Sequence, residues 1–295
     1  MTLNRMKFSI IIPTYNRLSQ IQATLESVYN QTFDDFEIIV VDDGSSDGTS
    51  EFLDNVSRKN FSVVHQNNRG PSAARNAGIR IAQGEIFVFT DDDCIVPNDW
   101  LSRFEKVFEN TNADVVAGFV QNASKSVFSA ISQYIINYSV AYLYKMHTNT
   151  SFFTSNNIAY RKEVIKEVGG FDERFKNAGG EERLLNFKLI LNGKKIVFEP
   201  EITVKHFHKL DFLSFVNQFF NYGKGSYLIY KICKEELKQK PPFVPFVTYT
   251  SFIKELFKQN FILGLSIVFF LLISQISVLI GFISGFFRAL LQKNS

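Results

Sequence analysis

The stretch Glu37-Ile-Ile-Val-Val-Asp-Asp-Gly-Ser-Ser-Asp-Gly-Thr49 decides the fold class, because a β-branched run leads straight into paired aspartates and a glycine-serine turn. The run Glu37–Val41 reads as a strand, and the segment after Asp43 permits tight turns and close approach of a ligand. Four similar runs surround it: Ser9–Ile12, Ser62–His65, Ile86–Thr90 and Val115–Phe119. Between them lie Ser19–Asn30, Thr49–Ser57, Ser72–Gln83 and Asp99–Asn110, with the apolar spacing of surface helices and with Ser19, Thr49, Ser72 and Asp99 as expected caps. This alternation predicts βαβ units and a mainly parallel, Rossmann-like α/β sheet.

Polar clusters follow the strands. Pro13-Thr-Tyr-Asn16 follows the first, Asp42-Asp-Gly-Ser-Ser-Asp-Gly48 the second and Asp91-Asp-Asp93 the fourth. In an open α/β sheet the ligand crevice lies at these carboxyl ends. From Phe152 to about His208 a smaller, mixed second half is expected to complete the pocket, with helices over Arg161–Val168 and Glu181–Leu191 and a strand over Lys195–Phe198.

The remainder points to a membrane. Thirty-two phenylalanines accompany a single tryptophan and crowd toward the C-terminal third. Asp211 to Lys240 mixes Phe, Tyr and Lys, which suits an interfacial helix as well as a packed domain edge. No charge occurs between Lys258 and Arg288, and spanning a bilayer takes ~20 apolar residues, so one transmembrane helix is expected here. Gly281 and Gly285 have a small-xxx-small spacing that could pack on another helix, in this chain or in a homo-oligomer. Basic residues flank both ends of the segment, so charge sets no orientation. The expected layout is a catalytic domain over 1–210, an amphipathic connection over 211–257 and a membrane-anchoring segment over 258–295.

A formal net charge of +3 is too balanced to indicate a nucleic-acid partner. Cys94 and Cys233 follow no metal-ligand spacing and read as reduced thiols. The apolar run Phe8–Pro13 is too short for a signal peptide, so the catalytic domain is expected in the cytoplasm, at the cell membrane.

The chemistry rests on the carboxylates. Three in a row at Asp91–Asp93 repel one another unless a cation intervenes; Mg²⁺ or Mn²⁺ suits carboxylates plus substrate phosphates. A solvated loop or helix cap is the plainer alternative. Asp42 and Asp43 taken alone also suit a phospho-acceptor receiver domain, which leaves the second acidic site unexplained. Arg69 and Arg75 flank a small-residue helix start where phosphate could be met, or they pair with local carboxylates.

Together Ser9–Arg17, Ile39–Thr49, Gly70–Gly78, Thr90–Asp93, Asn156–Arg161 and Gly169–Glu173 resemble, in order and spacing, the family 2 glycosyltransferases, over about Lys7 to Tyr230. The resemblance implies a GT-A fold and an inverting transfer from a nucleotide-sugar, a UDP-sugar by preference, to a glycan or lipid-linked acceptor in cell-surface polysaccharide or glycoconjugate synthesis. It implies that Pro13, Tyr15 and Asp43 hold the nucleobase, that Arg75, Asp91 and Asp92 lie in the donor site, and that Asp91 and Asp93 form the DxD pair. Asp93 would be the leading metal ligand, with His206 as a further one. Glu182, or Glu181 beside it, would be the catalytic base, although the family pattern usually has aspartate at the second position. At a helix N-terminus both glutamates also suit a simple dipole role.

Overall fold

The computed structural model describes residues 6–145, 152–242, 244, 246–259 and 261–293. It contains β1 (Phe8–Thr14), α1 (Leu18–Tyr29), β2 (Phe36–Asp42), α2 (Thr49–Asp54), β3 (Phe61–His65), α3 (Pro71–Ile81), β4 (Ile86–Phe89), β5 (Cys94–Ile95), α4 (Trp100–Thr111) and β6 (Val115–Asn122). There follow α5 (Val127–Lys145), β7 (Ile158–Arg161), α6 (Lys162–Glu167), α7 (Glu181–Leu191), β8 (Ile196–His206), α8 (Phe212–Ile232), a π-helical turn (Cys233–Leu237), α9 (Phe246–Gln259) and α10 (Phe261–Lys293).

The chain divides into two compact units. The first comprises residues up to Ala123, Phe153–Lys176 and Lys188–Phe207. It holds one eight-stranded sheet in the order β3-β2-β1-β4-β7-β6-β8-β5. The strands β3, β2, β1 and β4 run parallel, as does the pair β6 and β8, whereas β7 is antiparallel to both its neighbours and β5 to β8. Ile10, Ile12, Ile38, Val40, Ile86 and Val88 are buried under α1 and α4 with Trp100 and Phe104, as expected for strands covered by crossover helices. The expected strands and helices of the first 120 residues are all present, within a few residues at each end.

The cap expectation is corrected. Arg17, Gly48 and Gly70 hold the cap positions of α1, α2 and α3, and none makes a side-chain cap bond. Ser19, Thr49 and Ser72 fall inside the first turns instead. Gly48 and Gly70 stand there because the chain enters each helix at φ 93° and 91°, a region open to glycine. Asp99 is the cap of α4 without a cap bond, its carboxylate turned to Arg103 at 2.8 Å.

The second unit, Ser124–Phe152, Asn177–Phe187 and His208–Ser295, is helical where described. Ile131 and Ile135 of α5, Phe215 and Phe219 of α8, Phe252 and Leu256 of α9, and Ile267 and Leu271 of α10 make its core. Helices α8 and α10 approach closely: a Cβ on Gly223 would overlap the Val278 carbonyl, and one on Gly281 the Phe220 carbonyl. The small-residue face of α10 is therefore taken by α8 of the same chain. Within α10, Gly264–Leu291 has a mean hydropathy of 2.5 and suffices by length and composition to cross a membrane.

Candidate active site

The loops after β1 and β2 are held to each other by side chains. The Asn16 carboxamide accepts from Ser46 N–H at 2.7 Å, the Ser45 hydroxyl accepts from Asn16 N–H at 2.9 Å, and Asp47 accepts from Leu18 N–H at 3.2 Å and Thr49 N–H at 3.1 Å. Buried Asp42 closes the second loop by accepting from Ser45 N–H at 3.0 Å and from the Ser50 hydroxyl. Burial acts to raise its pKa, but these bonds and that of His65 hold it below the usual carboxylate value.

Asp43, 4% exposed, takes hydrogen bonds from Gln66 Nε2 at 2.6 Å, Arg69 N–H at 2.9 Å and Gly70 N–H at 2.8 Å. Its carboxylate thus fixes the lead into α3. Tyr15 is exposed above the end of β1, and Pro13 is half-buried in that strand.

The third cluster is differentiated residue by residue. Asp91 pairs with Arg75 at 3.0 Å, and the Arg75 guanidinium also stacks over Phe171 at 5.5 Å from the ring centre. Asp92 points inward, where the Thr14 hydroxyl donates to it at 2.7 Å while its carbonyl accepts from Thr24. Burial, and then the neighbouring Asp93 charge, push its pKa up to about 7.

Asp93 faces His206, with Oδ1 at 3.2 Å from Nε2. The pair exists because β5 and β8 align Cys94 opposite His206, and Phe207 N–H donates to the Asp93 carbonyl at 2.9 Å. Burial acts to lower the His206 pKa, yet the hydrogen bond and charge of Asp93, with Asp91, raise it. Asp93, Cys94 and His206 place potential ligand atoms within 4.8 Å of one another. A carboxylate with an imidazole fits Mn²⁺ well and Mg²⁺ less well, since Mg²⁺ favours all-oxygen shells. Cys94 is a buried thiol whose pKa burial raises, a hindrance to its joining such a shell.

Two more sequence segments meet at α3. The Asn76 carboxamide donates to the Phe171 carbonyl at 2.8 Å and to Glu173 at 3.1 Å, and accepts from Phe171 N–H at 2.9 Å. Arg69 pairs with Glu173 at 2.6 Å. Gly169–Glu173 is thereby docked on the helix that carries Arg75. In the second unit, Glu181 and Glu182 open α7; Glu181, 1% exposed, accepts from Gly179 N–H at 2.8 Å, while Glu182 is partly exposed. Arg183 is stacked 4.1 Å from the Phe152 ring centre and bonded to the Pro242 carbonyl, and burial lowers its pKa to about 10.

Nothing in the sequence singles out Gln66, Asn76, Thr14 or Thr24, whose partners lie 23 to 95 residues away. His65 carries no motif signal in the sequence, yet it bridges Asp42 and Asp54 at 3.0 Å each. The only signal for these residues was their position beside a cluster already noted.

An open sheet with Asp43, Asp91 and Asp93 at its strand ends, and a histidine beside the last, belongs to the class of α/β proteins whose ligand crevice lies at the carboxyl ends of the strands, here with a candidate cation site. The family model "Glycosyl transferase family 2" matches residues 9–169, more than half of the 295, and the chain belongs to that family. Glycosyltransferase AglE of Haloferax volcanii is 31% identical over 181 residues, which are 58% of this chain and 58% of AglE. The chain therefore spans less than two thirds of that relative. The fold is GT-A, shared with the mannosyltransferase PcManGT of Pyrobaculum calidifontis, solved with GDP-Man and Mn²⁺ (TM-score 0.60, 20% identity, 92% of this chain and 73% of that one). It is shared equally with S. aureus TarS 1-349 solved with UDP (TM-score 0.58, 20% identity, 94% and 89%).

Proposed function

We propose that this chain is an inverting, divalent-metal-dependent glycosyltransferase. It moves a sugar from a nucleotide-sugar, a UDP-sugar by preference, to a glycan or lipid-linked acceptor at the cytoplasmic face of the cell membrane, in cell-surface polysaccharide or glycoconjugate synthesis. The observation that carries the reading is the Asp93–His206 pair, 3.2 Å apart where β5 and β8 meet, with Asp91 and Arg75 beside it.

In this reading Pro13, Tyr15 and Asp43 hold the base, and exposed Tyr15 offers its ring as a stacking face. Asp93, Asp91 and His206 hold Mn²⁺ or Mg²⁺, which when bound neutralises the charge on the departing nucleoside diphosphate. Arg75 supplies a fixed guanidinium toward the diphosphate, its orientation set by Asp91 and Phe171. Glu182 removes the proton from the acceptor hydroxyl as that oxygen attacks the anomeric carbon from the face opposite the leaving group, which inverts the centre. The burial of Glu181 on the Gly179 N–H favours Glu182 for this role. A known UDP complex of TarS and a GDP-Man complex of PcManGT support a nucleotide-sugar donor, and the apolar α10 supports the membrane location.

Screening UDP- and GDP-sugars for Mn²⁺- or Mg²⁺-dependent release of nucleoside diphosphate tests the proposal. One donor is expected to give release that chelation stops. No release from any of them, with a membrane extract supplying acceptor, refutes it.

A further inference from the structure

Resting on the membrane reading above, we infer that α10 does not span the bilayer. It lies in the plane of one leaflet as a monotopic anchor, with α8 stacked on its aqueous side. The first observation is a stripe of exposed side chains on α10: Leu265, Phe269, Leu272, Ile276, Leu279, Ile283 and Phe287, each 44–59% exposed. Their spacings of three and four residues keep them on one face over most of the helix. At 1.5 Å per residue, the stripe from Leu265 to Phe287 is roughly 33 Å long.

The second observation is what covers the opposite face. Phe215 of α8 meets Phe270 at 5.9 Å, Gly223 lies against Val278, and Tyr227 meets Phe286 at 6.1 Å. The two helices thus run side by side in the same direction over some sixteen residues of α10, locked at Gly223 and Gly281, where neither position has room for a Cβ.

A spanning α10 would carry α8 into the hydrocarbon with it. The middle of the apolar segment, near Gln275 to Gly281, is level with Asn217, Asn221 and Lys224 of α8, and such groups are strongly disfavoured at mid-bilayer. The Lys224 ammonium lies 5.1 Å from the Phe220 ring centre and is partly exposed. Laid flat, α10 puts only its stripe into the acyl boundary and keeps Asn217, Asn221 and Lys224 in the headgroup region or water, the arrangement of an interfacial helix. A lipid leaflet is the occupant that fits a 33 Å apolar face bounded by Arg288 at one end and Lys258 at the other.

The test uses the full chain bound to vesicles of phosphatidylethanolamine and phosphatidylglycerol. Fluorescent labels are placed at Phe269→Cys, Ile276→Cys and Ile283→Cys, one per variant, and quenched by lipids brominated at different acyl depths; Cys94 and Cys233 are buried and stay silent. The three labels are expected at one shallow depth, within about 5 Å of each other. A spanning helix instead places Ile276 deepest and spreads Phe269 and Ile283 over about 21 Å along the normal. In parallel, Ser295→Cys is expected to react with an impermeant maleimide without detergent, as Lys59→Cys does on the first unit. A graded depth profile, or a Ser295→Cys thiol protected until detergent is added, overturns the inference and leaves membrane binding intact. Failure of the wild-type chain to float with the vesicles overturns the membrane reading itself.

Discussion

Asn157 uses every polar group of its side chain on a different piece of the sheet unit. Nδ2 donates to the Phe119 and Ile202 carbonyls at 2.8 Å each, and Oδ1 accepts from Trp100 Nε1 at 2.9 Å. These bonds bridge β6 and β8 where their register shifts at Gly118 and Phe119, and tie α4 to both. Asn157→Ala removes the partner of two buried groups, Trp100 Nε1 and the Ile202 carbonyl, and of the part-buried Phe119 carbonyl, so it is expected to cost about 3–5 kcal/mol of stability, read from urea unfolding. At the candidate site, Asp93→Asn and Glu182→Gln are both expected to abolish transfer. Only Asp93→Asn is expected to weaken metal-dependent donor binding as well, tenfold or more by calorimetry, the order of one lost charge-assisted contact. Near-normal transfer by Glu182→Gln would falsify the base assignment. His65 sets a pH dependence of its own. Both ring nitrogens lie 3.0 Å from carboxylates, a pattern that only the imidazolium satisfies. Burial acts to lower its pKa, but the bonds and charges of Asp42 and Asp54 raise it above 6.5. A raised folded pKa gives stability that is complete below 6.5 and is lost as pH climbs through the folded value. The wild-type Tm should therefore fall between pH 6.5 and 8, with His65 contributing on the order of 1–3 °C because it is partly solvated, and His65→Gln should show a smaller fall over that window, since Asp92 and His206 lose protons there too.

Helix α3 shows how an element gathers what the sequence scatters. Its Gly78 packs on β1 so closely that a Cβ would stand 2.5 Å from Ile11 Cγ2. Gly78→Ala forces the buried Ile11 side chain or the helix itself to shift, with an expected loss of about 1–3 kcal/mol in chemical denaturation. Because Arg75 lies on the same helix, donor affinity should fall with it. The first four strands were legible because each is a buried β-branched or aromatic run followed by turn residues. Helix starts were less so, since Gly48 and Gly70 open α2 and α3 through backbone geometry that no cap pattern announces. Two-residue β5 has no periodicity to read, yet its pairing with β8 is what brings Asp93 to His206. The strand expected over Lys195–Phe198 is the first part of β8, whose continuation through Glu199-Pro-Glu201 interrupts the alternation and hides the rest. The acidic clusters were readable for the same reason as the strands, being at their ends. Gln66 and Asn76 were not, because only the fold makes them neighbours of Asp43 and Phe171.

At the scale of the whole molecule, the phenylalanine-rich C-terminal third divides its apolar residues between two uses. Phe215, Phe219, Ile267 and Leu271 are buried in the core of the helical unit, whereas Leu272 and Ile276, one turn apart on α10, are 58% and 57% exposed. Charges at the second pair should therefore leave folding untouched and act only on what the surface meets. The double variant Leu272→Asp, Ile276→Asp is expected to keep the wild-type Tm, to stop floating with phosphatidylglycerol-containing vesicles, and to run as a single species without detergent, whereas the wild type is expected to aggregate. Nucleotide-sugar affinity should stay within about twofold of wild type, because the proposed donor ligands Tyr15, Asp43, Arg75 and Asp93 all belong to the sheet unit, a separate compact body with its own core. Continued flotation of the double variant would show that some other surface holds the chain at the membrane. A drop in Tm would show that the stripe is packed in the folded protein and not free to meet lipid.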